Sequence, residues 1–307
     1  MKKTAILLCS LLSAVSVLAE KDESRWENGL PQAGDIAIGV NFNPVATGKS
    51  ARDITSAGNF VGSEIVELNN KDNYPNQMFF LAQDPMISIQ LKYMLSDHSA
   101  FKARIGFSGA SLKYRENVRD DAAYALDELS QAVVSDLVQC RYTNGGVTVG
   151  MEFSKGKRLR FVGGFGLVYA FGGGKMNYAY GNAMNALNPH PSTMGKIDAQ
   201  LSEFQANEIM DYARPVEQYT SGICHAVGFN GSMGVEWFFI PKASLGAEVS
   251  IVPIMVAFQP KTYVTYEGVN RFTGEVDRYT TSISKGSTYL LYGTDNISVN
   301  LSLHYYF

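Results

Sequence analysis

Residues 297–307 have the sequence ISVNLSLHYYF, in which every second side chain is apolar or aromatic. One face of this stretch carries Ile297, Val299, Leu301, Leu303, Tyr305 and Phe307, and the other carries Ser, Asn, His and Tyr. Side chains that alternate with a period of two point to opposite faces of a β-strand. The stretch therefore predicts a strand with one apolar and one largely polar face.

The same alternation occurs in seven further stretches, which makes eight predicted strands. These seven stretches lie at residues 35–42, 87–95, 101–108, 147–153, 159–171, 227–237 and 244–251. In each of them one face is apolar, and the other is built largely from Gly, Ser, Asn, Lys, Arg and Glu. A soluble sandwich or jelly roll would turn its apolar face to a core. A polar interior is typical of a membrane barrel.

The connections between the strands alternate between short and long. The short ones are residues 96–99, 154–158 and 240–242, and the long ones are 44–84, 113–145, 174–221 and 259–296. Soluble domains rarely have loops longer than about 15 residues at every second connection. An outer-membrane barrel has short periplasmic turns on one rim and long extracellular loops on the other. The sequence thus predicts an all-β, eight-stranded antiparallel transmembrane barrel over residues 35–307.

A ten-stranded barrel stays open as an alternative. Residues 263–267 and 276–280 flank a turn, and they either extend the last strands beyond the membrane or form a fifth hairpin.

Two of the long loops also contain apolar residues at helical spacing. We expect an amphipathic helix at 120–138 and a weaker one at 198–213.

The first 19 residues have the features of a cleaved signal peptide. Lys2 and Lys3 precede an apolar run from Thr4 to Leu12, and Val17-Leu18-Ala19 forms a small-residue cleavage site. The apolar run is shorter than the roughly 20 residues that span a bilayer as a helix. We therefore expect export across the inner membrane, with residues 20–34 as a periplasmic N-terminal arm.

The composition excludes some classes of protein. The chain has 307 residues, of which 46% are hydrophobic and 18% charged, and its formal net charge is −3. This balance argues against disorder and against nucleic acid as a partner.

Beyond the predicted leader, Cys140 and Cys224 are the cysteines that remain. Both are predicted at upper strand ends with one strand between them, about 10 Å apart, so we expect thiols rather than a disulfide.

The charged side chains on the predicted inner face cluster in the periplasmic half of the barrel. They are Lys92, Lys102, Arg104, Glu152, Arg160, Glu236, Glu248 and His304. The inside of an eight-stranded barrel is just wide enough for side chains to fill it. We predict an ionic network that closes the lumen, with Arg160 held between Glu152 and Glu236. The alternative is that these side chains are solvated in a wet channel.

The strand and loop pattern resembles the small outer-membrane barrels of Gram-negative bacteria, of the OmpA-transmembrane, OmpX and OmpW type. The most specific part of the resemblance is the last strand, where Val299, Leu301, Leu303, Tyr305 and Phe307 are similar to that family's C-terminal assembly signal. The resemblance implies residence in the cell outer membrane, contact with its lipid and lipopolysaccharide, and recognition by the barrel-assembly machinery. Because loops this long exceed the OmpX pattern, function is not carried over from these members, and the leading hypothesis is a non-enzymatic barrel that stabilises the envelope or binds an unknown surface ligand through its loops. The OmpW branch implies the alternative of a narrow, porin-like channel for small solutes or hydrophobic ligands.

The sequence predicts no catalytic site, metal site or cofactor. Barrel enzymes that cut lipid A need a His and a Ser near the outer leaflet. His225 faces lipid without a neighbouring outward Ser, and His190 and Ser192 lie in a loop between prolines. A lipid-modifying enzyme is therefore the least favoured class.

Overall fold

A computed structural model describes residues 30–47, 87–194, 209–219, 223–259, 262–294 and 297–307. The predicted signal peptide, most of the predicted N-terminal arm and most of the predicted loop at 44–84 lie outside the described residues. Within the described ranges, no helix is both long enough and apolar enough to cross a membrane.

The described chain is built almost entirely from antiparallel strands. They are β1 (Ile36–Thr47), β2 (Ile87–Ser96), β3 (Ser99–Arg119), β4 (Val133–Gly156), β5 (Leu159–Ala179), β6 (Met210–Tyr219), β7 (Cys224–Ile240), β8 (Ala243–Gln259), β9 (Thr262–Asn270), β10 (Val276–Ser284), β11 (Ser287–Tyr292) and β12 (Ile297–Tyr306). A short helix, α1 (Asp121–Leu126), follows β3.

Eight of these strands form a closed ring. The ring runs β1–β2–β3–β4–β5–β7–β8–β12 and returns to β1, with every pair antiparallel. The eight-stranded barrel predicted from the sequence is confirmed. β9 and β10 form the extra hairpin that the ten-stranded alternative required, but this hairpin pairs with β6 through β9 and stays outside the ring.

The ring turns its apolar side chains outward. On β2, for example, Ser88, Gln90 and Lys92 are buried, whereas Ile89 and Leu91 are exposed. This arrangement is the reverse of a soluble domain, in which apolar residues are most often buried. The predicted polar interior and apolar exterior are confirmed.

The turn between β4 and β5 shows how the short rim is built. Gly156 has a φ of +133°, and a Cβ atom there would lie 2.2 Å from the carbonyl oxygen of Leu159. Only glycine adopts this conformation without strain. The tight turn then sets the register of β4 against β5.

On the opposite rim the strands continue well beyond the ring. We use the name upper sheet for the upper halves of β3, β4 and β5 together with β6, β9 and β10, which pair in the order β10–β9–β6–β5–β4–β3. Its concave face encloses an apolar core of Val118, Val138, Met176, Tyr178, Met194, Ala213, Val264 and Tyr266.

The upper sheet overturns the helix predicted at 120–138. Only Asp121–Leu126 is helical, and β4 begins at Val133. Val134 and Val138 point into the upper core because β4 pairs with β3 along its whole upper length. Backbone pairing on both edges outweighs an apolar spacing that also fits a helix. Of the second predicted helix, residues 198–208 lie outside the described residues, and β6 begins at Met210.

Candidate functional site

The lower half of the barrel contains a network of buried charged side chains. Lys92 on β2 is 3% exposed, and its Nζ lies 2.7 Å from Oε1 of Glu152 on β4. The same Nζ lies 3.3 Å from Oε2 of Glu236 on β7. Lys92 therefore joins carboxylates on β4 and β7, and β7 stands opposite β2 in the ring.

A second lysine extends the network. Nζ of Lys102 on β3 lies 3.0 Å from Oε2 of Glu152 and 2.7 Å from Oε2 of Glu248 on β8. The charges thus alternate in the order Glu236, Lys92, Glu152, Lys102, Glu248. We use the name lumen network for these five residues and His304.

Glu236 is held in place by neutral groups as well as by Lys92. The hydroxyls of Ser244 and Tyr306 donate hydrogen bonds of 2.6 and 2.8 Å to its Oε1, and His304 Nδ1 lies 3.3 Å from the same atom. The His304 ring fits because position 39 is glycine. A Cβ atom on Gly39 would lie 2.2 Å from Cδ2 of that ring.

The prediction that Arg160 lies between two glutamates is wrong. In the β4–β5 pair, the register places Glu152 opposite Gly164 and Arg160 opposite Gly156. Arg160 does face Glu236 across the β5–β7 pair, but its guanidinium donates to the carbonyl oxygens of Asp97 and Lys157. Among the described residues, no ion pair joins Arg160 to either glutamate.

Arg104 lies above the lumen network, two positions beyond Lys102 on β3. It is buried on β3 and lines a small cavity together with Lys102, Asn230, Ser232 and Glu248. Seven of the eight predicted lumen residues thus lie in the network or next to it, and Arg160 lies at the turn below.

Sequence reasoning missed two members of this site, Ser244 and Tyr306. Both are buried and both bind Glu236. Their inward parity is visible in the strand pattern, but nothing in the sequence marks an uncharged hydroxyl as the partner of a particular carboxylate. Such partners matter because a buried carboxylate needs each of its oxygens satisfied.

The upper sheet buries two charged side chains of its own. Asp136 accepts hydrogen bonds from the backbone N–H groups of Gly181 (2.8 Å) and Met194 (3.0 Å). Arg214 donates to Glu267 (2.9 Å) and lies over the Tyr180 ring, 4.0 Å from its centroid. Asp136 thus ties the segment after β5 onto the sheet, and Arg214 joins β6 to β9.

The predicted assembly signal lies on the outer face of β12. Leu301, Leu303 and Tyr305 are exposed, and the rings of Tyr305 and Phe307 meet edge to face with centroids 4.9 Å apart. Val299 pairs with both β1 and β8, so this strand closes the barrel. Recognition by the assembly machinery stays a prediction.

The two cysteines lie far apart in the strand register. Cys224 is opposite Gly172 on β5, whereas Cys140 is opposite Met176 on the other edge of the same strand. β5 lies between the two cysteines, and their positions also differ by four residues along β5. This separation exceeds the roughly 7 Å between Cα atoms that a disulfide spans. The prediction of two thiols stays a prediction.

The histidines considered for catalysis have aromatic neighbours. His190 packs on Tyr212 with ring centroids 5.3 Å apart, and His225 Nδ1 lies 2.8 Å from the Tyr169 hydroxyl. Ser192 accepts a hydrogen bond from Arg119. In the part of the chain that the structure describes, no three His, Cys, Asp or Glu side chains are grouped to hold a metal ion.

Comparisons with known proteins concern the fold. No family model and no curated protein matches the chain. Outer membrane protein OprG from Pseudomonas aeruginosa is 10% identical, covering 92% of this chain and 99% of its own, with a TM-score of 0.32. Ail, the attachment invasion locus protein of Yersinia pestis, is 8% identical, with 90% and 99% covered and a TM-score of 0.30. A major outer membrane protein from Thermus thermophilus is 9% identical, with 90% and 100% covered and a TM-score of 0.30. The closed ring of this chain's own strands establishes the barrel.

Proposed function

We propose that this chain is a non-enzymatic outer-membrane barrel that keeps its lumen closed and binds a partner through its upper sheet. The apolar outer surface of the ring supports the membrane location. On β5 this surface runs from Leu159 to Phe171, twelve residue steps. At about 3.3 Å per step and a tilt of about 45°, that is roughly 28 Å along the membrane normal. The length matches the apolar band of about 25 Å that such barrels present to lipid.

The lumen network is the observation that supports a closed barrel. Five charged side chains from β2, β3, β4, β7 and β8 meet inside the ring. An eight-stranded barrel has little interior space beyond what side chains fill. An ion crossing the lower half would have to separate pairs such as Lys92–Glu152, which is costly in a buried site.

The distal end of the upper sheet supports the binding role. Its connecting segments expose large apolar side chains almost completely: Leu126 is 91% exposed, Leu129 84%, Leu187 98% and Phe272 80%. They come from the β3–β4, β5–β6 and β9–β10 connections. Apolar side chains grouped at one exposed end are typical of an interaction surface.

A narrow channel is the second candidate function. The cavity lined by Lys102, Arg104, Asn230 and Ser232 favours it, because these polar side chains leave space above the network. In this case the network is a gate rather than a permanent plug.

Single-channel recording in planar bilayers separates the two functions. The full-length protein is inserted into phosphatidylcholine membranes, and its folding is checked by heat-modifiable migration on a gel. We expect no steady conductance from the folded parent. A steady unitary conductance in the folded parent would reject the closed barrel and favour the channel.

Mass spectrometry of lipid A from expressing cells tests the enzymatic class. A new lipid A species would reject the non-enzymatic role.

A further inference from the structure

The distal end of the upper sheet presents one surface that is made of three separate segments. They are residues 120–132 between β3 and β4, residues 181–193 after β5, and residues 271–275 between β9 and β10. We use the name distal tip for these three segments. Nδ2 of Asn188 donates a hydrogen bond of 3.0 Å to Asp121. On the other side, a Cβ atom on Gly274 would lie 3.6 Å from Cβ of Ala186. The segment 181–193 thus joins the other two.

The distal tip combines exposed apolar side chains with a surplus of carboxylates. Leu126, Leu129, Leu187 and Phe272 expose most of their surface to solvent. The three segments contain five carboxylates and one arginine, so their net charge is −4 with the histidine neutral, whereas the whole chain has a net charge of −3. The distal tip is therefore both apolar and acidic.

Part of this negative charge is not neutralised by neighbouring side chains. Asp121 pairs with Arg119, and Asp120 caps α1 by accepting from two backbone N–H groups. The side chains of Glu128 and Glu275 are exposed, and within the described part of the chain their carboxylates have no ion pair and no hydrogen bond. These two carboxylates are therefore available to a partner.

The available carboxylates lie beside the exposed apolar side chains. Glu128 comes between Leu126 and Leu129 along the chain, and Glu275 follows Phe272 by three residues. A partner that covers the apolar side chains consequently also meets carboxylates. Complementary charge on such a partner steers its approach and excludes partners of the wrong sign. The arrangement favours a partner with apolar side chains next to lysine or arginine.

The height of the distal tip favours a partner beyond the membrane surface. β5 ends at Ala179, eight residues beyond Phe171, where the apolar outer surface of that strand ends. At about 3.3 Å per residue and a tilt of about 45°, this is roughly 19 Å higher along the membrane normal. Headgroups add only about 5–8 Å to each side of the hydrocarbon core. Anionic lipid and a second copy of the same acidic tip are both disfavoured, because like charges would meet.

We propose that the distal tip binds a cationic, amphipathic polypeptide segment. Leu126, Leu129, Leu187 and Phe272 pack against the apolar side chains of that segment, and Glu128 and Glu275 pair with its lysine or arginine side chains. Exposed ion pairs add little affinity each, so the apolar contacts supply most of the binding and the carboxylates supply the selectivity. This inference rests on the binding role proposed above.

The test measures peptide binding by the full-length protein in phosphatidylcholine nanodiscs, with protein-free nanodiscs as the reference for binding to lipid. The probe is a synthetic peptide of leucine and lysine at helical spacing. The comparison peptides are the same sequence with glutamate in place of lysine, and oligolysine, which has no apolar side chains. Hydrogen-exchange mass spectrometry locates the bound peptide on the chain.

Four variants separate charge from apolar contact. E128Q/E275Q removes the two available carboxylates, and E128D/E275D keeps their charge. L126S/L187S removes two of the exposed apolar side chains. D97N, which replaces an exposed carboxylate at the lower rim, is the control. Heat-modifiable migration verifies that each variant is folded.

We expect the parent to bind the leucine–lysine peptide at least about tenfold more tightly than either comparison peptide, with slower exchange in the distal tip. E128Q/E275Q should bind it about fivefold more weakly, and L126S/L187S about tenfold more weakly or worse. E128D/E275D and D97N should stay within about twofold of the parent. Added salt should weaken binding by the parent more than binding by E128Q/E275Q.

Three results would overturn the proposal while leaving a binding role for the distal tip. One is equal binding of the leucine–glutamate peptide, or parent-like binding by E128Q/E275Q. Another is binding of oligolysine as tight as that of the leucine–lysine peptide, which would indicate an unselective charged surface. The third is a dimer of the parent alone that L126S/L187S abolishes, which would make a second copy the partner. A parent whose distal tip is protected by none of the peptides, and which stays monomeric, would reject the proposed binding role as well.

Discussion

Lys92 on β2 lies 2.7 Å from Glu152 on β4, measured from Nζ to Oε1, although β3 separates their strands. Its second partner, Glu236, is on β7. Lys92 thus joins carboxylates from β4 and β7, as Lys102 joins carboxylates from β4 and β8.

Replacing Lys92 by Met keeps most of its volume but leaves Glu236 without a nearby ammonium group. Removing one partner of a buried ion pair costs about 3–5 kcal/mol. We expect Lys92→Met to lower the free energy of unfolding by about that amount in urea titrations. We also expect ion leakage in planar bilayers. Lys155→Met, at an exposed position on the lower rim, is the control and should change neither quantity. An unchanged unfolding energy in Lys92→Met would contradict the stabilising role of the network.

Arg160→Ala should behave differently from Lys92→Met. Arg160 binds the carbonyl oxygens of Asp97 and Lys157 at the lower rim and packs against Phe238. We expect a loss of about 1–3 kcal/mol in the free energy of unfolding, in line with two lost charged hydrogen bonds. Because the chain of ion pairs does not pass through Arg160, the variant should stay closed in conductance recordings. Leakage as large as that of Lys92→Met would place Arg160 in the plug after all.

Gly39→Ala tests the fit of His304 beside Glu236. The added Cβ atom would meet the His304 ring at 2.2 Å, so either the ring or β1 has to move. Overpacking of this kind costs about 1–3 kcal/mol, measured by urea unfolding. Gly163→Ala is the matched control, since its nearest neighbour would be 3.8 Å away. If the clash is the cause, adding His304→Ala to Gly39→Ala should recover part of the loss, and no recovery would count against it.

Asp121 joins α1 to the segment at residues 182–194 in a way that depends on pH. Its carboxylate accepts hydrogen bonds from the Ser192 backbone (2.7 Å) and the Asn188 side chain (3.0 Å). Burial acts to raise its pKa, but these bonds and Arg119 outweigh burial and hold the pKa of Asp121 below its usual 3.8. A depressed carboxyl pKa stabilises the folded loop above the usual value, and this contribution is lost as pH falls through the folded value.

Hydrogen-exchange mass spectrometry checks this linkage. We expect protection factors in residues 182–194 to be constant above about pH 5 and to fall as the pH is lowered below about 4. Asp121→Asn should lower them already at the higher pH. Glu128→Gln, at an exposed position near the end of α1, is the control. Full protection in Asp121→Asn would show that the carboxylate does not hold this loop.

Phe307 tests the predicted role of β12 in assembly. Its ring packs edge to face on Tyr305 at the outer surface of the strand that closes the barrel. We expect Phe307→Ala, or deletion of Phe307, to reduce the amount of protein in isolated outer membranes and to increase periplasmic degradation. Phe258→Ala, which removes an outward aromatic from β8, is the control for a loss of surface area alone. Normal outer-membrane levels in the deletion strain would remove the basis for an assembly signal.

The barrel and its two faces follow from the local pattern of the sequence. In β2 the alternation of Ile89 and Leu91 with Gln90 and Lys92 is a local property, because successive side chains of a strand point to opposite faces. The alternation of short and long connections added the strand order. Seven of the eight predicted lumen residues are consequently found in the network or beside it.

Only the tertiary structure decided which lumen charges meet and what the long loops form. Contact between Lys92 and Glu152 depends on the tilt and stagger of strands that are not neighbours, which no spacing along the chain encodes. For the same reason the sequence predicted the wrong partners for Arg160. The spacing of Val133 and Leu137, which predicted a helix, also fits a strand, and pairing of β4 with β3 and β5 selected the strand. Backbone hydrogen bonds between distant segments, formed only in the folded chain, therefore created the upper sheet.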